Sequence, residues 1–171
     1  MDPLDKTGIS LKKLLQDWRI PLDSHPAERM LQYLRLLEKW NSRVNLTASS
    51  DWDSIGFLFE EAIWASKFYG KSFARHLDIG SGAGFPAIVL KILNPSIALE
   101  MVESREKRAI FLETVLAELG LKDSKVSNSR ILQIGPKAPA KEKATYLALH
   151  LVGLWHSVFD APGPDKISFL G

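Results

Sequence analysis

Leu77-Asp78-Ile79-Gly80-Ser81-Gly82-Ala83-Gly84-Phe85-Pro86 is the stretch whose reading decides the fold. Residues 74–79 read as a short strand that runs directly into a glycine-rich turn. Residues 86–93 then read as a helix, which Asn94-Pro95 ends, because the residue before a proline is pushed out of helical geometry. Residues 97–102 read as a second strand. Residues 106–119 form a strong helical pattern with Ile110, Phe111, Val115 and Leu119 on one side and Gly120 at its end. Residues 125–127 give a third, short strand. Strand, helix, strand, helix, strand in this order predicts a parallel sheet with helices on its faces.

Upstream of the turn the pattern is helical. Ser10 is placed to cap a short helix carrying Leu11, Leu14, Leu15 and Trp18 on one face. Pro26 suits the first turn of the next helix, whose residues Met30, Leu34, Leu37 and Trp40 recur at helical spacing beside Leu31 and Tyr33. Asp53 or Ser54 would cap a third, running through Leu58, Ala62, Ala65 and Tyr69, with Gly70 as its stop. Downstream of Arg130, residues 135–143 are rich in Pro, Ala and Lys and resemble a linker. Residues 144–159 read as one apolar helix, and residues 163–171 carry no clear pattern. There is no internal repeat. The organisation expected is a helical segment over residues 1–72 packed on an α/β core over residues 73–171.

Composition agrees with one globular domain. The chain has 171 residues, is 46% apolar and carries a formal net charge of +2, so charge alone demands no nucleic-acid partner. Any RNA contact would have to come from a local patch. The polar first ten residues do not read as a signal peptide. No apolar run approaches the roughly 20 residues needed to cross a bilayer, so no membrane partner is expected. The chain has no cysteine, which excludes disulfides, thiolate metal sites and cysteine nucleophiles and fits the cytoplasm.

A parallel sheet presents its ligand sites at the carboxyl ends of its strands, which is where the glycine turn falls. Gly80, Gly82 and Gly84 lack Cβ atoms, so the backbone there can turn sharply and approach a ligand closely. The helix that follows offers free N–H groups to a carboxylate or phosphate. An acidic residue, Glu103, ends the second strand about 20 residues later, where a carboxylate accepts hydrogen bonds from both hydroxyls of a ribose. Nicotinamide enzymes space these glycines as Gly-x-Gly-x-x-Gly. Gly-x-Gly-x-Gly with Asp78 in front is instead the spacing of class I methyltransferases, whose loop wraps the methionine part of S-adenosyl-L-methionine.

Three segments resemble one family. They are Lys39-Trp40-Asn41 followed by Asn45-Leu46-Thr47; the cofactor loop 77–86; and Glu103-Ser104 with Lys107-Arg108 and Phe111-Leu112. In this order they resemble the bacterial small-subunit rRNA guanine-N7 methyltransferases, also called the glucose-inhibited division protein B family, over roughly residues 25 to 131. The resemblance implies a Rossmann-like class I methyltransferase fold with an N-terminal helical extension. It implies Asp78, Gly80, Ser81, Gly82, Gly84 and Phe85 as cofactor contacts, Glu103 on the ribose, and Ile131-Leu132 beside the adenine. It further implies Asn45, Lys107 and Arg108 as RNA contacts, and ribosomal RNA or the small ribosomal subunit as partner. Oligomeric state stays open. The departures are a non-acidic Leu132, Leu58 and Glu61-Ala62 where the family carries a His and an acidic-Ser pair, and no Arg-Ala motif after Leu132. The chain is also shorter than the family's usual length. The C-terminal part of the sheet is therefore expected to be reduced, or the chain to be a truncated or degenerate member.

Methyl transfer from a sulfonium to guanine N7 is an in-line displacement onto a free lone pair. It needs no general base, only positioning and electrostatics, so no catalytic residue is assigned. His25, His76, His150 and His156 lack ligand spacing, and no metal is expected. Trp40, Asn41, Asn45 and Thr47 either pack and cap turns or line the site beneath the helical segment. Lys107 and Arg108 either touch RNA phosphate or are solvated helix charges. Arg105, Arg130, Lys137, Lys141 and Lys143 could extend a basic face. The expected activity is thus rRNA guanine-N7 methylation. The alternatives are a methyltransferase with a small-molecule or protein substrate, and a scaffold that kept the fold without activity.

Overall fold

The computed structural model describes residues 3–67, 75–130 and 146–149. Three helices come first: α1 (Pro3–Asp17), α2 (His25–Val44) and α3 (Trp52–Ser66). They are followed by β1 (Arg75–Ile79), α4 (Ala87–Leu93), β2 (Ala98–Val102), α5 (Glu106–Glu118), β3 (Ser124–Ser127) and β4 (Tyr146–Leu149). The strands form a parallel sheet in the order β3-β2-β1-β4. Registers are continuous: Asp78 lies opposite Met101 on one side and Ala148 on the other.

This order carries functional information. From β1 the chain steps outward twice, through α4 to β2 and through α5 to β3. It then returns to the other side of β1 for β4. Both steps run the same way along the sheet, so right-handed crossovers put α4 and α5 on one face. The reversal falls between β1 and β4. A crevice opens at such a switch point, outside the carboxyl ends of the strands, and the residues that follow β1 border it.

The N-terminal helices cover that face. Leu11 and Leu15 of α1, Met30, Tyr33, Leu34 and Leu37 of α2, and Ile55, Phe59 and Ile63 of α3 are buried in one apolar cluster. The same cluster holds Ile88 and Ile92 of α4 and Phe111, Leu112 and Val115 of α5. Each such side chain contributes about 1.5–3 kcal/mol on burial. At its centre Tyr33, Phe59 and Phe85 meet in tilted and edge-on pairs with centroids 5.0–5.9 Å apart. Trp52 stacks on Phe59, and Trp40 leans on Phe111. Lys91, also buried, donates from its ammonium to the carbonyls of Pro95, at 2.8 Å, and of Ile97, closing the connection from α4 to β2.

Pro26 lies in the first turn of α2, where Ser24 caps by accepting from the Ala27 amide at 3.4 Å. Four expectations are corrected. The first helix begins at Pro3, so Ser10 is internal to it and caps nothing: Gly8 does not interrupt a helix held down by Leu11 and Leu15. Asp51, not Asp53 or Ser54, stands at the N-cap of α3. Residues 146–149, read as part of a helix, are instead a strand beside β1, because pairing with a central strand overrides a short apolar run that either structure could use. On α5, Ile110 is 44% exposed and does not share the buried side with Phe111 and Val115. Tyr69, Gly70 and the readings placed on residues 131–145 and 150–171 lie outside the described residues.

Candidate functional site

The turn after β1 is fixed by its own backbone. The amides of Gly80 and Ser81 both donate to the carbonyl of Val102 at the end of β2, at 2.7 and 3.2 Å. The Gly84 amide returns to the Ser81 carbonyl at 2.6 Å, and the Ser81 hydroxyl donates to the Asp78 carbonyl at 3.1 Å. Two glycines are required for different reasons. Gly84, at φ +96°, packs so closely that a Cβ would lie 2.7 Å from Ile88 and 3.0 Å from Leu112. Gly82, at φ +55°, has room around it: the nearest atoms to a Cβ, Arg108 Nη1 and the Gly80 carbonyl, would be 3.7 Å away. Gly84 therefore serves the packing of the turn, while Gly82 sits at its open crest. The Tyr33 hydroxyl, fully buried, braces the turn from below by donating to the Ala83 carbonyl at 2.7 Å.

Two of the first amides of α4, expected to be free, are engaged. Ile88 donates to Gly84 and Leu90 to Pro86, and residues 87–92 are all buried. This helix is part of the core.

Glu103 lies opposite the turn. Its main chain is held on both sides, the amide donating to Ser127 at 3.1 Å and the carbonyl accepting from the Asn128 side chain at 2.9 Å. Its carboxylate, in a residue only 5% exposed, accepts from the Gly82 amide at 2.9 Å through one oxygen and from the Arg105 amide at 2.8 Å through the other. Each carboxylate oxygen carries two lone pairs, so each retains one. Asn128 and the Arg105 amide were not singled out in the sequence. The only signal for them is position, one residue past the third strand and two past the acidic residue.

Asp78 lies beneath the turn with no exposed surface, and neither carboxylate oxygen has a hydrogen-bond partner. Burial raises its pKa to about 7, and the charge on Glu103 adds to the rise. The nearby Ser81 hydroxyl opposes the rise by more than Glu103 adds to it, and burial outweighs both. Burial and Asp78 together push the Tyr33 hydroxyl well above the usual tyrosine range.

The remaining residues fall into three places. Phe85 points into the aromatic cluster, joined to Pro86 by a cis peptide. Arg108, on the first turn of α5, donates to the Asn45 carbonyl at 2.6 Å and thereby ties the left-handed C-cap of α2 to the rim of the glycine turn. Its Nε is buried without a partner. Lys107 is exposed beside it. Asn41 accepts from the Thr47 amide at 2.9 Å and the Thr47 hydroxyl donates to Ser49 at 2.7 Å, which favours their turn-capping reading. Ile131 and Leu132 lie outside the described residues.

A family model described as rRNA small subunit methyltransferase G matches residues 26–148. The chain belongs to that family. Its parallel sheet and glycine turn are accordingly those of a class I methyltransferase fold, with an N-terminal helical extension. Among relatives named ribosomal RNA small subunit methyltransferase G, that of Roseiflexus castenholzii is 36% identical over 134 residues, covering 78% of this chain and 57% of the relative. That of Chloroflexus aggregans is 37% identical over 141 residues, covering 80% and 59%. That of Clostridium botulinum is 39% identical over 120 residues, covering 69% and 50%. The chain thus matches between half and three fifths of the length of these methyltransferase G relatives. No helix among the described residues is long and apolar enough to cross a membrane.

Proposed function

We propose that this chain binds S-adenosyl-L-methionine across the turn after β1 and methylates guanine N7 in small-subunit ribosomal RNA, in the cytoplasm. The observation that carries the reading is the Glu103 carboxylate, anchored to the glycine turn at the carboxyl end of β2 with one spare lone pair on each oxygen. Two adjacent hydroxyls of a ribose match that pair of acceptors. Asp78, buried with neither carboxylate oxygen hydrogen-bonded, fits the same ligand, since a positively charged group at the turn would favour its ionised form over the neutral one that burial favours. When bound, the cofactor supplies an electrophilic methyl group on a sulfonium.

The residues of this chain would bind and orient. Glu103 would hold the ribose, the backbone from Gly80 to Gly84 the amino-acid part, and Ile131 and Leu132 the adenine. Asn45, Lys107 and Arg108 border the turn on its α2–α5 side and would meet RNA phosphate there. No proton needs moving at guanine N7, so no acid or base is called for. The names of the relatives support small-subunit ribosomal RNA as the substrate. The test is transfer of labelled methyl groups to intact small ribosomal subunits from a strain lacking the modification. Label at one guanine N7 is expected; transfer to protein or small molecules alone would replace the reading.

A further inference from the structure

We propose that Glu103 is also the positioning residue of the glycine turn, so that the ribose and amino-acid halves of the ligand bind cooperatively through it. This rests on the cofactor reading above for the ligand, whereas the bracket is made of the protein's own atoms. One carboxylate joins three segments. Through Oε2 it holds the Gly82 amide at the crest of the turn, and through Oε1 the Arg105 amide at the N-cap of α5, which has no side-chain cap of its own. One turn further on, Arg108 carries the connection to Asn45 at the end of α2.

Among the described residues the Gly82 amide has no other acceptor, and the nearest other brace is the Tyr33 hydroxyl on the Ala83 carbonyl. Gly80 and Ser81 are secured to Val102, and Gly84 to Ser81, but the Gly82 amide donates to Glu103. Gly82 has a left-handed backbone and room around it, no atom lying closer than 3.7 Å to an added Cβ. Without its acceptor the crest is free to choose other conformations, and an amide there is left unpaired. A ligand that bonds the ribose side of Glu103 restrains the carboxylate, and the restrained carboxylate restrains the crest. The amino-acid half then meets a turn already ordered, which is coupling between two parts of one site.

Glu103→Gln separates the two tasks. The side chain keeps its size but presents one acceptor oxygen and one NH2 group, so one of the two amides faces a donor. In the 15N-labelled, ligand-free full chain, exchange at Gly82 or Arg105 is expected to speed up roughly tenfold or more, the worth of a charge-assisted hydrogen bond, while Gly80 keeps its rate. Wild-type rates at both amides would overturn the bracket. Affinities for S-adenosylhomocysteine and for 5′-methylthioadenosine, which has the same ribose but no amino-acid part, read the coupling. The substitution is expected to weaken the first by roughly a further tenfold beyond the second, and equal losses would overturn the coupling. If the wild-type chain binds neither, the proposed function fails and the exchange measurement alone decides the bracket. Should Glu103→Gln not fold, Glu103→Asp serves the same test, because its shorter side chain keeps the charge but cannot span both amides.

Discussion

The amide of Gly82 donates to the carboxylate of Glu103 across 2.9 Å, joining residues 21 positions apart in the chain. The turn after β1 and the end of β2 are thereby one unit. With the main chain of Glu103 held by Ser127 and Asn128, the unit extends to the end of β3. Three strands deliver their carboxyl ends to one place, and the sheet order puts the chain reversal beside it.

Gly82 and Gly84 should respond differently to substitution. Gly84→Ala forces a Cβ into Ile88 and Leu112 at a positive φ, and is expected to cost about 2–4 kcal/mol of stability by strain and overpacking. Gly82→Val meets no such wall and should cost less stability, about 1–2 kcal/mol from its left-handed backbone, while blocking the ligand. Urea denaturation and ligand titration on both variants separate the effects. A Gly82 variant that is the less stable of the two would contradict the assignment.

Tyr33→Phe removes the hydroxyl that braces the Ala83 carbonyl but leaves the ring contacts with Phe59 and Phe85. A loss of about 1–2 kcal/mol in chemical denaturation is expected, since the carbonyl is left buried without its donor. No change would mean that water or a shifted donor replaces the hydroxyl.

The pH profile should show two opposed slopes. Asp78 holds its proton up to about pH 7, against an ordinary value of 3.8. The unfolded chain binds fewer protons across that range, so this residue lowers stability as pH rises through it. His76, also buried, is pushed by burial down to about 4 from 6.5. The unfolded chain then binds more protons, so His76 lowers stability as pH falls through its window. Asp78→Asn removes the first effect, and its melting temperature should climb more steeply than wild type between pH 4.5 and 6.5. Parallel profiles would show that Asp78 is not held neutral.

Much of this was legible because local signals and tertiary demand agreed. The Gly80–Gly84 turn and the strand before it carry a pattern that the fold uses unchanged, and the helix from Glu106 carries one that it uses at Phe111 and Val115. Residues 146–149 misled because a short apolar run has no period of its own, and only the neighbour β1 decides that it is a strand. Ile110 misled because an apolar residue at roughly helical spacing need not face the core. Of the site, Glu103 was readable from its distance to the glycines. Asn128, Tyr33 and the Arg105 amide were not, because their roles arise from contacts between segments that no spacing rule connects.

Lys107 and Arg108 are adjacent in sequence but engaged differently, which predicts different variants. Lys107→Ala should weaken binding to small-subunit RNA and lower the salt-dependence slope by about 1, as loss of one phosphate contact does, without altering stability. Arg108→Ala should do the same and also lower the melting temperature, because it frees the C-cap of α2. Filter binding across a salt series and thermal melts measure both. An Arg108 variant with unchanged melting would show that the link to Asn45 carries no stability.

The central claim is that the turn and Glu103 form one S-adenosyl-L-methionine site. Titration calorimetry of the full chain with S-adenosylhomocysteine and with NAD tests it most directly. The account predicts saturable one-to-one binding of S-adenosylhomocysteine, weakened by about 1–3 kcal/mol in Glu103→Ala, and no signal for NAD. Binding of NAD with none of S-adenosylhomocysteine, or S-adenosylhomocysteine affinity untouched by the substitution, would contradict it.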